Sequence, residues 1–187
     1  EYTFDDLKIE LKEFVTYYIP NNKNSNFPTS KFYESWKSIF YSQNYNMKNF
    51  VHKDFEFVNL FFLENCESHL QCGIIDFQSA FKGFIGWDLI SLLENPRINF
   101  TRDYNDKLIE YFYDNTSIIE NFNTFLEQYY VLSLARQTRL LGRWRKLLST
   151  NNDNKYLNYL KITKSRTIAT LNNIKNYELR SMYEKYL

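Results

Sequence analysis

The sequence predicts a mainly α-helical protein with a short β-hairpin. Glycine and proline are scarce, at 4 and 3 of 187 residues, whereas a β-sandwich or barrel would use more of both in its frequent turns. Apolar residues recur at helical spacing along most of the chain, and two short apolar runs flank a polar turn. The 16 Tyr, 17 Phe and 3 Trp residues predict a core built largely from rings. The length suits a single domain over residues 1–187.

Two helices are predicted on either side of an asparagine-rich stretch. The first has apolar residues at Phe4, Leu7, Leu11, Phe14, Val15 and Tyr18. Pro20 and the run at 21–26 end it. Thr29 or Ser30 is expected to cap the second helix, whose core face carries Phe32, Trp36, Ile39 and Phe40.

The hairpin is predicted to pair residues 60–63 with residues 72–76, around a polar turn at 64–71 that contains His69. We expect His69 to be exposed, because it has no Cys or His partner at metal-ligand spacing. Five further helices are predicted over the ranges 87–93, 104–113, 118–148, 153–171 and 176–186.

Composition excludes several classes of function. A net charge of +1 argues against broad nucleic-acid binding, which usually needs a strongly basic surface. No apolar run reaches 18 residues, so no membrane-spanning helix is expected. Cys66 and Cys72 are too few for a disulfide framework and are expected to be reduced thiols of a cytoplasmic protein. Because the chain lacks an initiator Met and a signal peptide, we interpret its start as a cut inside a longer chain.

One ordered set of polar residues carries chemistry. Asp54 follows His52 by two residues, Asn59 follows five residues later, and Asp76 ends the next apolar run. Phosphoryl transfer needs a carboxylate beside the acceptor hydroxyl and oxygen ligands for Mg²⁺. Asp54 suits the first role, and Asn59 and Asp76 suit the second. A hairpin between Asn59 and Asp76 would bring these two ligands together.

Three segments together resemble the aminoglycoside and choline phosphotransferase family: HKDFEFVN at 52–59, IIDFQSA at 74–80 and GWDLISLL at 86–93. The second and third look closest to bacterial kinases that phosphorylate the anomeric hydroxyl of N-acetylmuramate and N-acetylglucosamine. The stretch 136–148 is similar to that subgroup's C-terminal helices. The resemblance implies the C-terminal, catalytic and substrate-binding lobe of a protein-kinase-like fold.

The resemblance also implies roles for individual residues. Asp54 would be the catalytic base, and His52 would support its loop by hydrogen bonding. Asn59 and Asp76 would hold Mg²⁺, with ATP as the co-substrate, and Asp88 would brace the catalytic loop. The candidate contacts to a small-molecule hydroxyl acceptor are Glu56, Gln78, Arg136 and Arg139.

A basic stripe is the second feature that bears on the acceptor. Arg136, Arg139, Arg143 and Lys146 fall at i, i+3, i+7 and i+10 of a predicted helix. Such a stripe is most often solvated surface. It could instead border the acceptor pocket, where it would favour a neutral or acidic N-acetylated sugar over a polycationic aminoglycoside. Nucleic-acid binding is the third and weakest interpretation.

Two departures from the family pattern qualify these expectations. The subgroup carries His two residues after the catalytic Asp, where this chain has Glu56, and a carboxylate there adds repulsion unless it turns away or meets a metal. All four glycines lie at or beyond Gly73, so we expect this chain to lack the Gly-rich loop and strand Lys of an N-terminal nucleotide lobe. We therefore expect the fragment alone to be inactive. The alternative is a degenerate, non-catalytic lobe that binds a ligand or partner.

Overall fold

The protein is described here from a computed structural model that covers residues 1–20, 26–98, 100–118, 120–151 and 153–187. These residues group into two compact units. The first comprises residues 1–2 and 46–118, and the second comprises residues 3–45 and 119–187. The single domain predicted over residues 1–187 stays a prediction.

The second unit is helical. Its helices are α1 (Phe4–Glu13), α2 (Thr29–Ser42), α5 (Phe122–Asn151), α6 (Asn154–Leu171) and α7 (Tyr177–Tyr186). Local chemistry fixes their starts. Thr3 and Asp6 form a reciprocal capping box at α1, and Asp153 and Asn176 cap α6 and α7 through their side chains. Each cap satisfies backbone N–H groups that lack an intrahelical partner.

Helix α1 continues into a wider, π-helical turn at Phe14–Tyr18. Gly142 of α5 lies against this junction, where a side-chain carbon at residue 142 would overlap backbone atoms of Glu13 and Phe14. The close approach of the two helices therefore requires glycine at this position.

Rings are the bulkiest part of the core of this unit, where they pack together with many aliphatic side chains. Its largest fully buried side chains include Trp36, Tyr18, Tyr129, Tyr183 and Phe14. A buried polar seam joins α5 to α6. Within it, Gln137 Nε2 donates to Thr170 Oγ1 at 3.2 Å, and Trp144 Nε1 donates to Thr163 Oγ1 at 3.0 Å. These bonds satisfy polar groups that would otherwise be costly to bury.

The first unit holds short strands followed by two helices. Strand β1 (Asn49–Val51) pairs antiparallel with β4 (Phe81–Gly83), and β2 (Leu60–Phe62) pairs antiparallel with β3 (Cys72–Ile74). Helices α3 (Trp87–Leu93) and α4 (Arg102–Asp114) follow, and Thr101 caps α4 by accepting a bond from Tyr104 N.

The mainly helical class and the hairpin are confirmed, with corrections. The strands of the hairpin end at Phe62 and Ile74, earlier than predicted. The β1–β4 pair was not predicted. The expected cap by Thr29 or Ser30 is wrong, because both residues lie inside α2, which begins after Pro28 without a side-chain cap. The predicted end of the first helix, at Pro20 and the run 21–26, falls mostly on residues 21–25, which lie outside the described residues.

The two cysteines and His69 agree with the expectations from the sequence. Cys66 and Cys72 are free thiols, and His69 is exposed in the hairpin turn. Among the described residues, no helix combines the length and the apolar character that crossing a bilayer requires.

Candidate active site

The loop that contains Asp54 is tied to the start of α3. Asp88 lies in the first turn of that helix. Its Oδ2 accepts the backbone N–H of His52 at 2.8 Å, and its Oδ1 accepts that of Lys53 at 2.9 Å. Both carboxylate oxygens are therefore used to hold two consecutive peptides immediately before Asp54. A carboxylate is suited to this role because charge-assisted bonds are stronger than neutral ones.

Lys53 has an unusual backbone conformation, with φ of 75°. This left-handed region favours glycine, because a Cβ atom crowds the backbone there. The residue is held on its carbonyl side as well, since Ser91 Oγ donates to Lys53 O at 2.9 Å. Contacts from α3 at both ends of the residue thus accompany the strained conformation.

The loop then folds back on itself between Asp54 and Asn59. The Asp54 carbonyl accepts from Glu56 N at 2.8 Å and from Asn59 Nδ2 at 2.8 Å. Because the amide nitrogen of Asn59 is committed to this carbonyl, its amide oxygen is the atom left to act as a ligand.

The hairpin connects this loop to Asp76. Ile75 N donates to Asn59 O at 3.1 Å, and the ring Nε2 of His52 lies 2.9 Å from Ile75 O. Both backbone polar groups of Ile75 therefore bond to the loop, one residue before Asp76. The backbone of Asp76 also has a left-handed conformation, with φ of 67°, and the residue is exposed.

Glu56 is directed to an arginine. Its carboxylate forms an ion pair with the guanidinium of Arg97, which lies just beyond the end of α3. Sequence reasoning anticipated repulsion from Glu56 unless it turned away or met a metal. The pair with Arg97 offsets its negative charge without a metal.

Burial raises the pKa of the Asp88 carboxyl above its ordinary value. The bonds from His52 and Lys53 act in the opposite direction, and the nearby Asp54 carboxylate adds to the increase. Desolvation is the larger effect because burial disfavours the charged form of a carboxyl group.

The other candidate substrate contacts are divided between the two units. Gln78 is exposed in a 3₁₀ turn at Phe77–Ser79. Arg136 and Arg139 belong to the second unit. The interpretation of the stripe as solvated surface is wrong for Arg136, of which only 3% is exposed.

Two further arginines of the stripe face glutamates of α1. Arg139 Nε lies 3.9 Å from Glu10 Oε2. Arg143 meets both carboxylate oxygens of Glu13, at 2.9 and 3.0 Å. Helical spacing placed the arginines on one face but gave no sign of the glutamates that come alongside from α1.

The oxygen donors available for a metal are few. The described residues contain no cluster of three or more His, Cys, Asp or Glu side chains that could hold an ion. The predicted pair, Asn59 and Asp76, instead offers one amide and one carboxylate oxygen. Such a set fits Mg²⁺, which is commonly held by one or two protein oxygens together with substrate phosphates and water.

Sequence reasoning missed Ser91 and Arg97. Ser91 lay within the GWDLISLL segment, but a serine inside a helix carries no signal of a distant partner. Arg97 was not singled out, although an Arg after a helix end can reach a carboxylate brought near by the fold. Both contacts span more than 35 residues of sequence.

The chain is similar to a known sugar kinase. The chain is 22% identical over 162 residues, 84% of its length, to the N-acetylmuramate/N-acetylglucosamine kinase of Caulobacter vibrioides. It spans 44% of that protein's length. No family model matches the chain. The chain is thus a weak homologue of a sugar kinase.

Proposed function

We propose that the protein carrying this chain transfers the γ-phosphate of ATP to a hydroxyl group of a small molecule. The observation that supports this most is the loop from His52 to Asn59, which bonds to Ile75, the residue before Asp76. This arrangement holds a base candidate and two oxygen-ligand candidates on one small set of bonded segments. Positioning of this kind is most of what catalysis of phosphoryl transfer requires.

Asp54 is the proposed base. Its carboxylate would accept the proton of the acceptor hydroxyl as that oxygen attacks phosphorus. His52 would keep the loop against β3 through its bond to Ile75, and Asp88 would brace the peptides of His52 and Lys53. A positioned base contributes about 10²- to 10⁴-fold to such reactions.

Asn59 and Asp76 are the proposed ligands of Mg²⁺. When bound, this ion would neutralise phosphate charge and orient ATP. The Arg97 guanidinium offsets the charge of Glu56, which otherwise would oppose an incoming triphosphate. The substitution of His by Glu at residue 56 is therefore compatible with the proposed activity.

An N-acetylated amino sugar is the proposed acceptor. The support is the resemblance of the 52–93 segments to sugar kinases, together with the name of the weak homologue. The charge of the stripe gives little support, because Glu10 and Glu13 offset Arg139 and Arg143. Ordinary surface charge contacts contribute about 1 kcal/mol or less in any case.

The deciding experiment is a phosphate-transfer assay of the full-length protein with Mg-ATP. N-acetylmuramate, N-acetylglucosamine and kanamycin are compared as acceptors, with detection of the phosphorylated product. We expect transfer to an N-acetyl sugar and little to kanamycin. Transfer to kanamycin alone would overturn the acceptor. ATP or sugar binding without turnover would favour the alternative of a non-catalytic, ligand-binding lobe.

A further inference from the structure

Helix α3 bonds to both the backbone N–H and the backbone carbonyl of Lys53. Asp88 and Ser91 are three residues apart and so share a face of the helix. Asp88 Oδ1 accepts from Lys53 N at 2.9 Å, and Ser91 Oγ donates to Lys53 O at 2.9 Å. Ser91 is fully buried, with a relative exposure of 0%, so water does not compete for its hydroxyl.

The residue held in this way is strained. Lys53 adopts φ of 75°, a conformation that glycine adopts readily and that a residue with a Cβ adopts only at a cost. A strained residue persists where the surroundings over-determine it. Here the two bonds from α3 supply that constraint, and the next residue in the chain is Asp54.

We propose that Ser91 is a positioning residue that acts with Asp88 to hold Lys53 in its left-handed conformation and thereby sets the position of Asp54. Loss of the Ser91 hydroxyl lets the 53–54 peptide rotate toward an ordinary conformation. The Asp54 carboxylate then moves relative to the acceptor, while the Asp54 carbonyl keeps its bonds from Glu56 and Asn59, so that the groups proposed to hold Mg-ATP stay in place. The inference rests on the proposed function for its kinetic consequence but not for its structural one.

The kinetic test uses the full-length protein with Ser91→Ala, Lys53→Gly and the double variant. Ser91→Ala should lower kcat about tenfold and leave KM for ATP within about twofold, because misplacement of a catalytic group by a fraction of an ångström carries such costs. Adding Lys53→Gly should restore about half or more of the lost kcat, because glycine populates positive φ without the bond from Ser91.

The matched control is Ser133→Ala. Ser133 is also fully buried, and its hydroxyl oxygen accepts from Gln137 Nε2 at 2.9 Å, so removing it costs a buried hydrogen bond in the second unit. This variant should lower the melting temperature without a selective loss of kcat. A double variant of Ser91 and Lys53 that is no faster than Ser91→Ala would overturn the proposal.

A second readout separates this inference from the proposed activity. If the full-length protein transfers no phosphate, the proposed function fails, and melting temperatures decide the role of Ser91. In the wild-type background, Lys53→Gly relieves the strain of the positive φ at residue 53. In the Ser91→Ala background, residue 53 has already left that conformation, so the same substitution relieves no strain. Its effect on Tm should therefore be less favourable in the Ser91→Ala background. Equal shifts in the two backgrounds would show that Ser91 does not hold Lys53.

Discussion

The buried ring of His52 bonds to the backbone of Ile75, with Nε2 at 2.9 Å from the carbonyl oxygen. A carbonyl can only accept, so this nitrogen carries the proton. The other ring nitrogen, Nδ1, has no hydrogen-bond partner among the described residues. The contact joins the residue two before Asp54 to the residue one before Asp76. This bond therefore ties the end of the hairpin to the loop.

Replacing Asp54 by Asn should lower kcat of the full-length protein roughly a hundredfold or more, because the amide cannot accept the acceptor's proton. The loop should keep its shape, since the bonds from Asn59 and Glu56 go to the Asp54 carbonyl rather than to its side chain. KM for ATP should change little. Steady-state kinetics measure both quantities.

Asp114→Asn, an exposed change at the end of α4, serves as the control for loss of a carboxylate. It should have wild-type kinetics. Near-normal turnover in Asp54→Asn would remove Asp54 from the mechanism.

The Glu56–Arg97 pair predicts a charge effect on nucleotide binding. Arg97→Ala removes the positive charge beside Glu56, and KM for Mg-ATP should rise roughly two- to fivefold, the size expected of a partly exposed ion pair. Glu56→Gln added to Arg97→Ala should reverse the increase, because the repelling carboxylate is gone. ATP titrations at low and moderate salt would measure it. If the double variant binds ATP no better than Arg97→Ala, Glu56 does not face the nucleotide.

Gly142 should be intolerant of substitution. An alanine in a helix normally gains about 1 kcal/mol over glycine. At residue 142 this gain is outweighed, because the new Cβ overlaps the backbone of Glu13 and Phe14, and overpacking costs about 3 kcal/mol. A net loss of about 2 kcal/mol corresponds to a Tm lower by roughly 4–8 °C.

Gly73→Ala is the matched control for this substitution. There the Cβ would meet only the side chain of Leu63, at 3.3 Å, and a flexible side chain can move aside. Chemical denaturation should show a change within about 1 kcal/mol. A Gly142→Ala protein as stable as the wild type would mean that α1 and α5 are further apart than described.

The raised pKa of Asp88 gives a pH dependence with a definite sign. Because its pKa is higher in the folded state than its ordinary value of 3.8, the folded state binds more protons above pH 3.8. The stability contributed by Asp88 is therefore greatest below that pH and falls as the pH rises through the raised pKa. Unfolding free energies of the wild type and Asp88→Asn, compared from pH 3 to 7, isolate this contribution. If the wild type gains unfolding free energy relative to Asp88→Asn as the pH rises, the pKa of Asp88 is not raised in the folded state.

The sequence allowed the helices and the hairpin to be predicted because their patterns are local. The β1–β4 pair escaped prediction because each strand has three residues, too few for an alternating pattern to be recognised. Val51 and its partner Phe81 are also separated in sequence by the whole hairpin. Long-range pairing of short strands leaves little trace in a single sequence.

The candidate site divides in the same way. The spacing of Asp54 and Asn59 could be read directly, because residues of one loop keep a fixed separation in sequence. The left-handed conformation of Lys53 could not be predicted, since lysine gives no sign of positive φ. Its cause lies in Ser91 and Asp88, more than 30 residues away.

The hairpin has a consequence for handling the protein. Residues 58–63, Val-Asn-Leu-Phe-Phe-Leu, contain no charge and no proline, and Phe61 and Phe62 are 51% and 71% exposed. Copies of a segment with this composition, exposed on a two-stranded sheet, are prone to pair with one another and aggregate. The nearest charges that could oppose this pairing are those of Glu56 and Glu64. The segment that positions Asn59 is thus also a solubility hazard. Changing the outward Phe62 to Thr would separate the two properties and allow work at higher protein concentration.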